Sequence, residues 1–201
     1  DRKDLLLITG FAMPGGLATN GSKLTITTAK AVAGVMREAE AFVVPTSSKY
    51  RTITDLLNDI KANPKAVAIG GGNYGGVDHV TVATLAETVG VKATDLNYIP
   101  YSGGGSLVPD VIGGRVAVGV SGTSEFSSYV AAGKMRVLAV TSPKPLKVIK
   151  GKTLVQQGVD LTFGNWRGIL APSDLSAADY LNTVKVIDAL HSTPAWKSTL
   201  V

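Results

Sequence analysis

Residues 66–80 read AVAIGGGNYGGVDHV, and this stretch indicates the fold class of the chain. The apolar run before the glycines predicts a buried strand. The segment after them, residues 77–90, has apolar residues at helical spacing and ends in glycine, which predicts a helix that stops at Gly90. A strand that leads through a short loop into a helix is the repeating unit of a parallel sheet.

The same pattern follows twice more along the chain. The apolar run at residues 96–101 leads into SGGGS and a short helix, and the run at 115–120 leads into SGTSE and another helix. Further strands are predicted at 5–10, 38–45 and 135–141, a helix with Thr52 as its N-cap at 52–64, a helical turn at 153–158, an extended pair at 161–172 and a helix at 176–192. Residues 11–28, rich in glycine and threonine, are predicted to be irregular. The order predicts an α/β fold with a mostly parallel sheet and helices on both faces.

The glycines at the three predicted helix starts have two interpretations. The first turn of a helix leaves N–H groups unpaired at the positive end of the helix dipole, and glycine lets an anion approach them. Alternatively, the glycines only permit tight turns and close packing. Three such loops at one carboxyl edge of a sheet, with Ser102, Ser106, Ser121 and Thr123 among them, favour an anion site. On this interpretation, Gly72→Val and Gly104→Val should each weaken binding.

Other kinds of site fit the sequence less well. Gly70, Gly72 and Gly75 match G-x-G-x-x-G, but the acidic residue that would hold a ribose is missing from the end of the next strand. Asp78, His79 and Ser121 could form a hydrolytic set, although nothing in the sequence orients them. For His79, packing or a hydrogen bond to the preceding loop is favoured over chemistry. We therefore expect no enzyme activity.

The composition narrows the function further. The chain has 201 residues, no cysteine, two histidines without metal-ligand spacing, and a net charge of +5 that is spread along it. These features predict no metal site, no cofactor and no nucleic-acid partner. The pair Trp166-Arg167 suits an acidic ligand, and packing at a strand crossing explains it equally well.

Several motifs are similar to those of a known family. They are VVPTSSKYRTITDLL, AIGGGNYGGVDHV, NYIPYSGGGSLVPDVIGGRVAVGVSGTSEF, AAGKMRVLAVTSP and TLVQQGVDLTFGNWRGILAP, in that order. The chain resembles the substrate-binding receptors of tripartite tricarboxylate transporters, the TctC or Bug family of periplasmic binding proteins, from about residue 13 to residue 196. GGGNYGGVDH, PYSGGG and NWRG together make the resemblance specific.

The resemblance implies a two-lobed, type II periplasmic-binding-protein fold whose cleft closes on an organic anion. Lobe 1 would comprise residues 1–45 and 165–201, and lobe 2 residues 46–164, with crossings near Val44-Pro45 and Phe163 to Trp166. The family holds a carboxylate largely with main-chain amides and ordered water. By position, the ligand-binding residues of lobe 2 would be Gly71, Gly72, Asn73, Tyr74, Gly75, Gly76, Tyr101, Ser102, Gly103 and Gly104. Phe11, Ala12 and Met13 would face them from lobe 1, and Ser121, Trp166 and Arg167 complete the candidates.

The expected function is that of a periplasmic or other extracytoplasmic receptor. It would capture a di- or tricarboxylate, such as a citrate-like anion, and deliver it to the membrane permease subunits of the transporter as a monomer. The alternatives are the ligand-sensing domain of a LysR-type regulator and an α/β enzyme. Gly76 and Ala117 replace residues that are often hydroxylic and acidic in the family, so the ligand preference stays open. Because the family's first strand, its glycine loop, the signal peptide and the final segment are not seen, we expect a fold truncated at both ends.

Overall fold

The computed structural model describes residues 5–200 of the chain. Its strands and helices follow one another as β1 (Leu7–Gly10), α1 (Ala12–Thr19), β2 (Lys30–Glu38), β3 (Glu40–Pro45), α2 (Ile53–Ala62), β4 (Ala68–Gly71), α3 (Val77–Glu87), β5 (Asn97–Pro100), α4 (Gly104–Ile112), β6 (Val118–Gly122), α5 (Thr123–Ala131), β7 (Met135–Val140), β8 (Asn165–Ala171), α6 (Ala177–Ser192) and α7 (Pro194–Thr199). None of the helices in this part of the chain is both long and apolar enough to span a bilayer.

The chain divides into two compact units. Unit 1 comprises Asp1–Arg37 and Trp166–Val201, and unit 2 comprises Glu38–Asn165. Unit 2 thus begins before β3, whereas the predicted lobe 2 begins at residue 46. The difference arises because β3 is hydrogen-bonded between β6 and β7. That the two units act as ligand-closing lobes stays a prediction.

Unit 2 is built on a five-stranded sheet in the order β5-β4-β6-β3-β7. Strand β4 is parallel to β5 and β6, whereas β3 is antiparallel to both β6 and β7. Four of the five strands therefore run in one direction, and the prediction of a mostly parallel sheet is confirmed. The carboxyl ends of β4, β5 and β6 lie at the same edge, where the three glycine- and serine-rich loops begin.

Hydrophobic packing covers both faces of this sheet. Neighbouring residues of a strand point to opposite faces, so Phe42 and Val43 of β3 belong to different clusters of buried side chains. The first cluster, with α2 and α3, includes Phe42, Ile53, Leu56, Ile69 and Leu85, and the second, with α4 and α5, includes Val43, Leu107, Val111 and Phe126. Each such side chain stabilises the fold by about 1.5–3 kcal/mol through burial.

The helix ends of unit 2 follow the local signals of the sequence. The Thr52 hydroxyl accepts the Asp55 N–H at 3.2 Å, and the Asp55 carboxylate accepts the Thr52 N–H at 2.8 Å. This reciprocal pair confirms the predicted start of α2. Gly90, with a φ of +80°, follows α3 where the sequence predicts the helix to stop.

Unit 1 contains a three-stranded sheet in the order β1-β8-β2, with β1 antiparallel to β8. The predicted helix at 176–192 is α6, which begins with the Ser176 hydroxyl accepting the Asp179 N–H at 3.1 Å. Strand β2 had no counterpart in the sequence prediction.

Two predictions for the chain near and within unit 1 are wrong. Residues 12–19 form helix α1 instead of an irregular segment, because Pro14 falls in the first helical turn, where its missing N–H breaks no helical hydrogen bond. Residues 161–172 contain one strand, β8, instead of an extended pair. The segment before β8 is held differently, since Phe163 exchanges hydrogen bonds with Thr141 at 3.0 and 2.7 Å.

Candidate functional site

Three strand-to-helix junctions meet at the carboxyl edge of the unit 2 sheet. The Tyr101 N–H donates to the Gly71 carbonyl at 2.7 Å, which joins the end of β5 to the end of β4. Strand β6 runs parallel to β4 with Gly119 opposite Gly70, which places Ser121, two residues further on, at the same edge. The structure therefore brings together the predicted residues 71–76, 101–104 and Ser121.

The first junction, the loop of residues 71–76, is largely closed by its own side chains and carbonyls. The Gly72 N–H donates to the Asp78 Oδ2 at 2.7 Å, the Gly75 N–H to the His79 Nδ1 at 3.3 Å, and the Gly76 N–H to a carbonyl of the loop at 2.9 Å. The expectation that the Gly72 amide is free for a ligand is wrong, because Asp78 occupies it. The amides of Asn73 and Tyr74 have no acceptor within residues 5–200.

Glycine is required in this loop mainly by packing. A Cβ at Gly71 would overlap the Tyr98 hydroxyl, and one at Gly70 would lie 2.5 Å from the Leu107 side chain. The Tyr98 hydroxyl donates to the Gly72 carbonyl at 2.7 Å, so the ring has little room to move. The tight-packing interpretation therefore accounts for Gly70 and Gly71.

The second junction, residues 101–106, is open at the start of α4. Gly103 has a φ of +150°, and a Cβ placed on Gly103 or Gly105 would meet nothing within 4 Å. Both the Ser106 and Leu107 amides donate to the Gly103 carbonyl at 3.2 Å. The Gly104 and Gly105 amides, at the positive end of α4, have no acceptor in the described part of the chain. Gly105 is exposed, whereas Gly104 is buried.

Two side chains frame this open junction. The Glu125 carboxylate lies against Gly104, at the place where a Cβ would be, so position 104 admits only glycine without rearrangement. The Tyr101 hydroxyl donates to Asp110 at 2.7 Å, and burial together with this hydrogen bond raises the pKa of Tyr101 to about 12. The polar groups of Tyr101 are thus engaged within the protein, while Ser102 is exposed.

The third junction, at the start of α5, already holds a carboxylate of the chain itself. The Ser124 N–H donates to the Glu38 Oε1 at 2.7 Å, and a Cβ at Gly122 would lie 2.7 Å from the Glu38 Oε2. The Thr123 N–H donates to the Ala39 carbonyl at 3.0 Å. A carboxylate is therefore stable at a helix start of this edge, although this start is closed to a ligand.

The Asp78, His79 and Ser121 side chains do not form a hydrolytic set. The Asp78 Oδ2 accepts the Gly72 N–H and the His79 Nδ1 accepts the Gly75 N–H, so both side chains are bonded to the loop of residues 71–76. Burial lowers the pKa of His79, which favours the neutral ring. The predicted hydrogen bond between His79 and the preceding loop is confirmed. Among the described residues, no group of three or more histidine or acidic side chains is arranged to hold a metal ion.

Tyr74 and His79 belong to an aromatic cluster beside the first loop. The His79 ring lies edge-on to Tyr98 at 4.8 Å between centroids and to Tyr74 at 5.2 Å. The Tyr74 hydroxyl donates to the Tyr98 carbonyl at 2.9 Å, and the residue is 56% exposed. This cluster gives the loop a fixed aromatic rim.

The predicted site residues of unit 1 lie around the last residue of β1 and the first residues of β8. Phe11, Ala12 and Met13 lie at the start of α1, directly after Gly10, which pairs with Arg167 across the strands. The Arg167 guanidinium donates to the Trp166 carbonyl at 3.4 Å. A role for these five residues in holding a ligand stays a prediction.

The chain is similar to proteins of a known family. A family model described as tripartite tricarboxylate transporter family receptor matches residues 22–200. A protein of Agrobacterium vitis, named UPF0065 protein in the TAR-I ttuE-ttuC' intergenic region, is 28% identical over 129 residues, or 63% of this chain and 36% of the relative. The chain thus matches about a third of that protein's length.

Three solved structures are similar in fold. Periplasmic binding protein BugD has a TM-score of 0.80 at 21% identity, covering 96% of this chain and 65% of its own. MatC from Rhodopseudomonas palustris, with bound malate, has a TM-score of 0.82 at 14% identity, and the match covers 97% of this chain and 67% of the MatC chain. A second R. palustris protein, with adipate, has a TM-score of 0.72 at 21% identity, and the match covers 86% of this chain and 57% of that protein. The two-lobed periplasmic-binding-protein fold implied by the motifs is confirmed.

Proposed function

The chain belongs to the tripartite tricarboxylate transporter receptor family, and we propose that it is an extracytoplasmic solute-binding receptor for a carboxylate anion. The observation that carries this proposal is the open start of α4, where the Gly104 and Gly105 amides have no acceptor within residues 5–200. A carboxylate there would accept two N–H hydrogen bonds at the positive end of the helix.

The strength of such a contact indicates what else the site needs. A hydrogen bond to a charged group contributes about 1.5–3 kcal/mol, and the helix dipole adds about 0.3–1 kcal/mol. Two amides and the dipole thus supply roughly 3–7 kcal/mol before any entropy cost, whereas micromolar affinity requires about 8 kcal/mol. We infer that the ligand gains further contacts, including the open amides of Asn73 and Tyr74.

The proposed ligand is a di- or tricarboxylate. Two proteins of similar fold are described with malate and adipate, which are both dicarboxylates. One carboxylate would lie at α4 of unit 2. For unit 1, we propose Phe11, Ala12, Met13, Trp166 and Arg167 as its own ligand contacts.

The proposed partners follow from the family. We propose that the receptor works outside the cytoplasm as a monomer and delivers its ligand to the membrane subunits of a tripartite transporter. The family description names such a transporter, and BugD is described as periplasmic. The same reasoning favours a receptor over an enzyme.

Isothermal titration calorimetry tests the proposal with malate, adipate and citrate at pH 7, and with malamide as an uncharged control. We expect saturable binding of at least one of the three acids and at least about tenfold weaker binding of malamide, because a neutral carbonyl gains less free energy than a carboxylate from the amides and the dipole of α4. Equal binding of malate and malamide, or no binding of any acid, would overturn the proposal.

A further inference from the structure

A loop of unit 2 carries four lysines and no acidic side chain. Residues 142–152 read SPKPLKVIKGK, and the sequence from residue 126 to residue 159 contains six basic residues and no aspartate or glutamate. All four lysines of the loop are exposed, and they are Lys144, Lys147, Lys150 and Lys152. Within residues 5–200, none of them forms an ion pair. Residues 142–152, called here the lysine loop, therefore present four positive charges that no acidic side chain neutralises.

The lysine loop is held to the unit 2 sheet at both ends. It leaves β7 after Val140 and returns beside it, because the Val140 N–H donates to the Lys152 carbonyl and the Leu154 N–H donates to the Val140 carbonyl, both at 3.0 Å. A Cβ at Gly151 would lie 2.6 Å from the Val137 side chain, so the returning chain lies directly against β7. The four charges are thus confined to a short segment between two fixed ends.

The apolar residues of the lysine loop pack into the protein. Ile149 is buried in the second cluster of unit 2, and Leu146 and Val148 pack against that cluster. The Ser142 hydroxyl donates to the Lys144 carbonyl at 2.7 Å, and prolines on both sides of Lys144 restrict the backbone. The lysine side chains therefore extend from a backbone that is already ordered, so a partner does not have to order it on binding.

The composition of the lysine loop indicates the kind of partner. The loop has no aromatic side chain on which a base could stack, which disfavours a nucleic acid. Protein interfaces are enriched in aromatic residues and arginine and depleted in lysine, which disfavours a protein partner. Lysine is a compact, strongly hydrated point charge. Clusters of about four or more such charges are attracted to the anionic headgroups of a bilayer without any need for a complementary shape.

We propose that the lysine loop binds the anionic phospholipid surface of a membrane. Each lysine close to such a surface strengthens the association by about fivefold, so four lysines together strengthen it roughly several hundredfold at low salt. The contact needs no insertion into the bilayer, because the apolar side chains of the loop face the protein. The binding is independent of the carboxylate site. Only its benefit, which is to keep the receptor close to the membrane subunits, rests on the proposed function.

Cosedimentation with lipid vesicles, without any carboxylate ligand, tests this inference. We expect the wild-type protein to bind vesicles that contain phosphatidylglycerol at low salt and to bind vesicles of phosphatidylcholine alone at least about tenfold more weakly. The bound protein should dissociate in 1 M salt, because screening weakens interactions between exposed charges.

Two combined variants locate the contact on the protein. Replacing the four lysines of the loop (Lys144→Gln, Lys147→Gln, Lys150→Gln and Lys152→Gln) should weaken binding to the anionic vesicles at least about a hundredfold. The matched control lowers the net charge equally by the same change at four other exposed lysines, Lys23, Lys61, Lys92 and Lys185. The control should lose less than about tenfold, since only the long-range field of the protein changes.

A measurement on the wild-type protein needs no variant. Vesicles with a paramagnetic headgroup should weaken the NMR amide signal of Gly151 more than that of Gly90, which follows α3 on the other face of the sheet. No binding to anionic vesicles at low salt, an equal loss in the two variants, or an equal or stronger effect at Gly90 would overturn the inference. Failure to bind any carboxylate would contradict the proposed function and leave these results unaffected.

Discussion

The first junction, residues 71–76, and the second junction, residues 101–106, lie at one edge of the unit 2 sheet and are called here the closed corner and the open corner. They are alike in sequence and different in structure. The first is largely closed, because Asp78 and His79 return from the following helix to accept the Gly72 and Gly75 amides. The second is open, because no side chain of α4 returns to Gly104 or Gly105 in the described residues. Glycine content alone therefore does not distinguish a packed turn from a binding surface. The difference is whether a later side chain accepts the free amides.

The largest effect is expected from Gly71→Ala in the closed corner. The added Cβ overlaps the buried Tyr98 hydroxyl, which itself is fixed by the Gly72 carbonyl. Overpacking of this kind costs about 3 kcal/mol of unfolding free energy. Urea unfolding measures the loss, with Gly105→Ala as the control in the open corner. Equal stability of the two variants would mean that the closed corner is not tightly packed.

A smaller loss is expected from Gly103→Ala in the open corner. The Cβ meets no atom within 4 Å, so the cost comes only from the backbone, whose φ of +150° and ψ of 176° suit glycine alone. Such strain amounts to about 2 kcal/mol. Gly34→Ala, which is equally open but has no positive φ, should leave the unfolding free energy within about 0.5 kcal/mol of the wild type. A Gly103→Ala protein as stable as Gly34→Ala would contradict this explanation.

The closed start of α5 offers a third test, with Glu38→Gln. The variant removes the negative charge that accepts the Ser124 N–H and interacts with the helix dipole. This loss lowers the unfolding free energy by about 1 kcal/mol at low salt. In 1 M salt the difference should shrink, because screening weakens charge–dipole interactions. Glu87→Gln, in the last turn of α3, should not be destabilised. A loss for Glu38→Gln that is independent of salt would attribute the effect to packing instead of charge.

The smallest change in stability, with an opposite change in function, is expected from Gly105→Ala. Alanine favours the helix over glycine, so the unfolding free energy should rise by about 0.5 kcal/mol. Its Cβ tilts toward the helix start and into the open space there, so malate affinity should fall. Calorimetry and urea unfolding of the same preparation measure both. Unchanged affinity would mean that the ligand does not approach this amide.

Gly105→Ala also replaces Gly72→Val and Gly104→Val, the two variants that the sequence suggested as tests of binding. A valine at Gly104 would collide with Glu125, and one at Gly72 would approach the Asp78 carboxylate, at 3.1 Å from its first added carbon. Either substitution would disturb the protein itself, so a loss of binding would not isolate the free amides. Gly105 is free of this complication.

The features that could be predicted from the sequence are those set by residues close to one another along the chain. Strands β4 to β7, the capped start of α2 and the position of three helix starts at one edge follow from apolar periodicity and turn residues. Helix α1 was missed because its glycines and Pro14 resemble a loop, and its first turn tolerates the proline.

The features that could not be predicted depend on distant contacts. Glu38 reaches Ser124 across 86 positions of the chain, and nothing near either residue indicates the pairing. The same holds for the placement of β3 between β6 and β7, which moves the unit boundary. Which of the three helix starts is open is therefore a property of the folded structure.

The account depends most on the claim that carboxylate is held by the open amides of α4. The most direct measurement is a titration of nitrogen-15-labelled protein with malate, in which each glycine amide is followed by its chemical shift. We predict large, saturable shifts for Gly104 and Gly105 and smaller ones for Gly72 and Gly75, whose protons are already bonded within the protein. Saturable shifts that leave Gly104 and Gly105 unmoved would contradict the account.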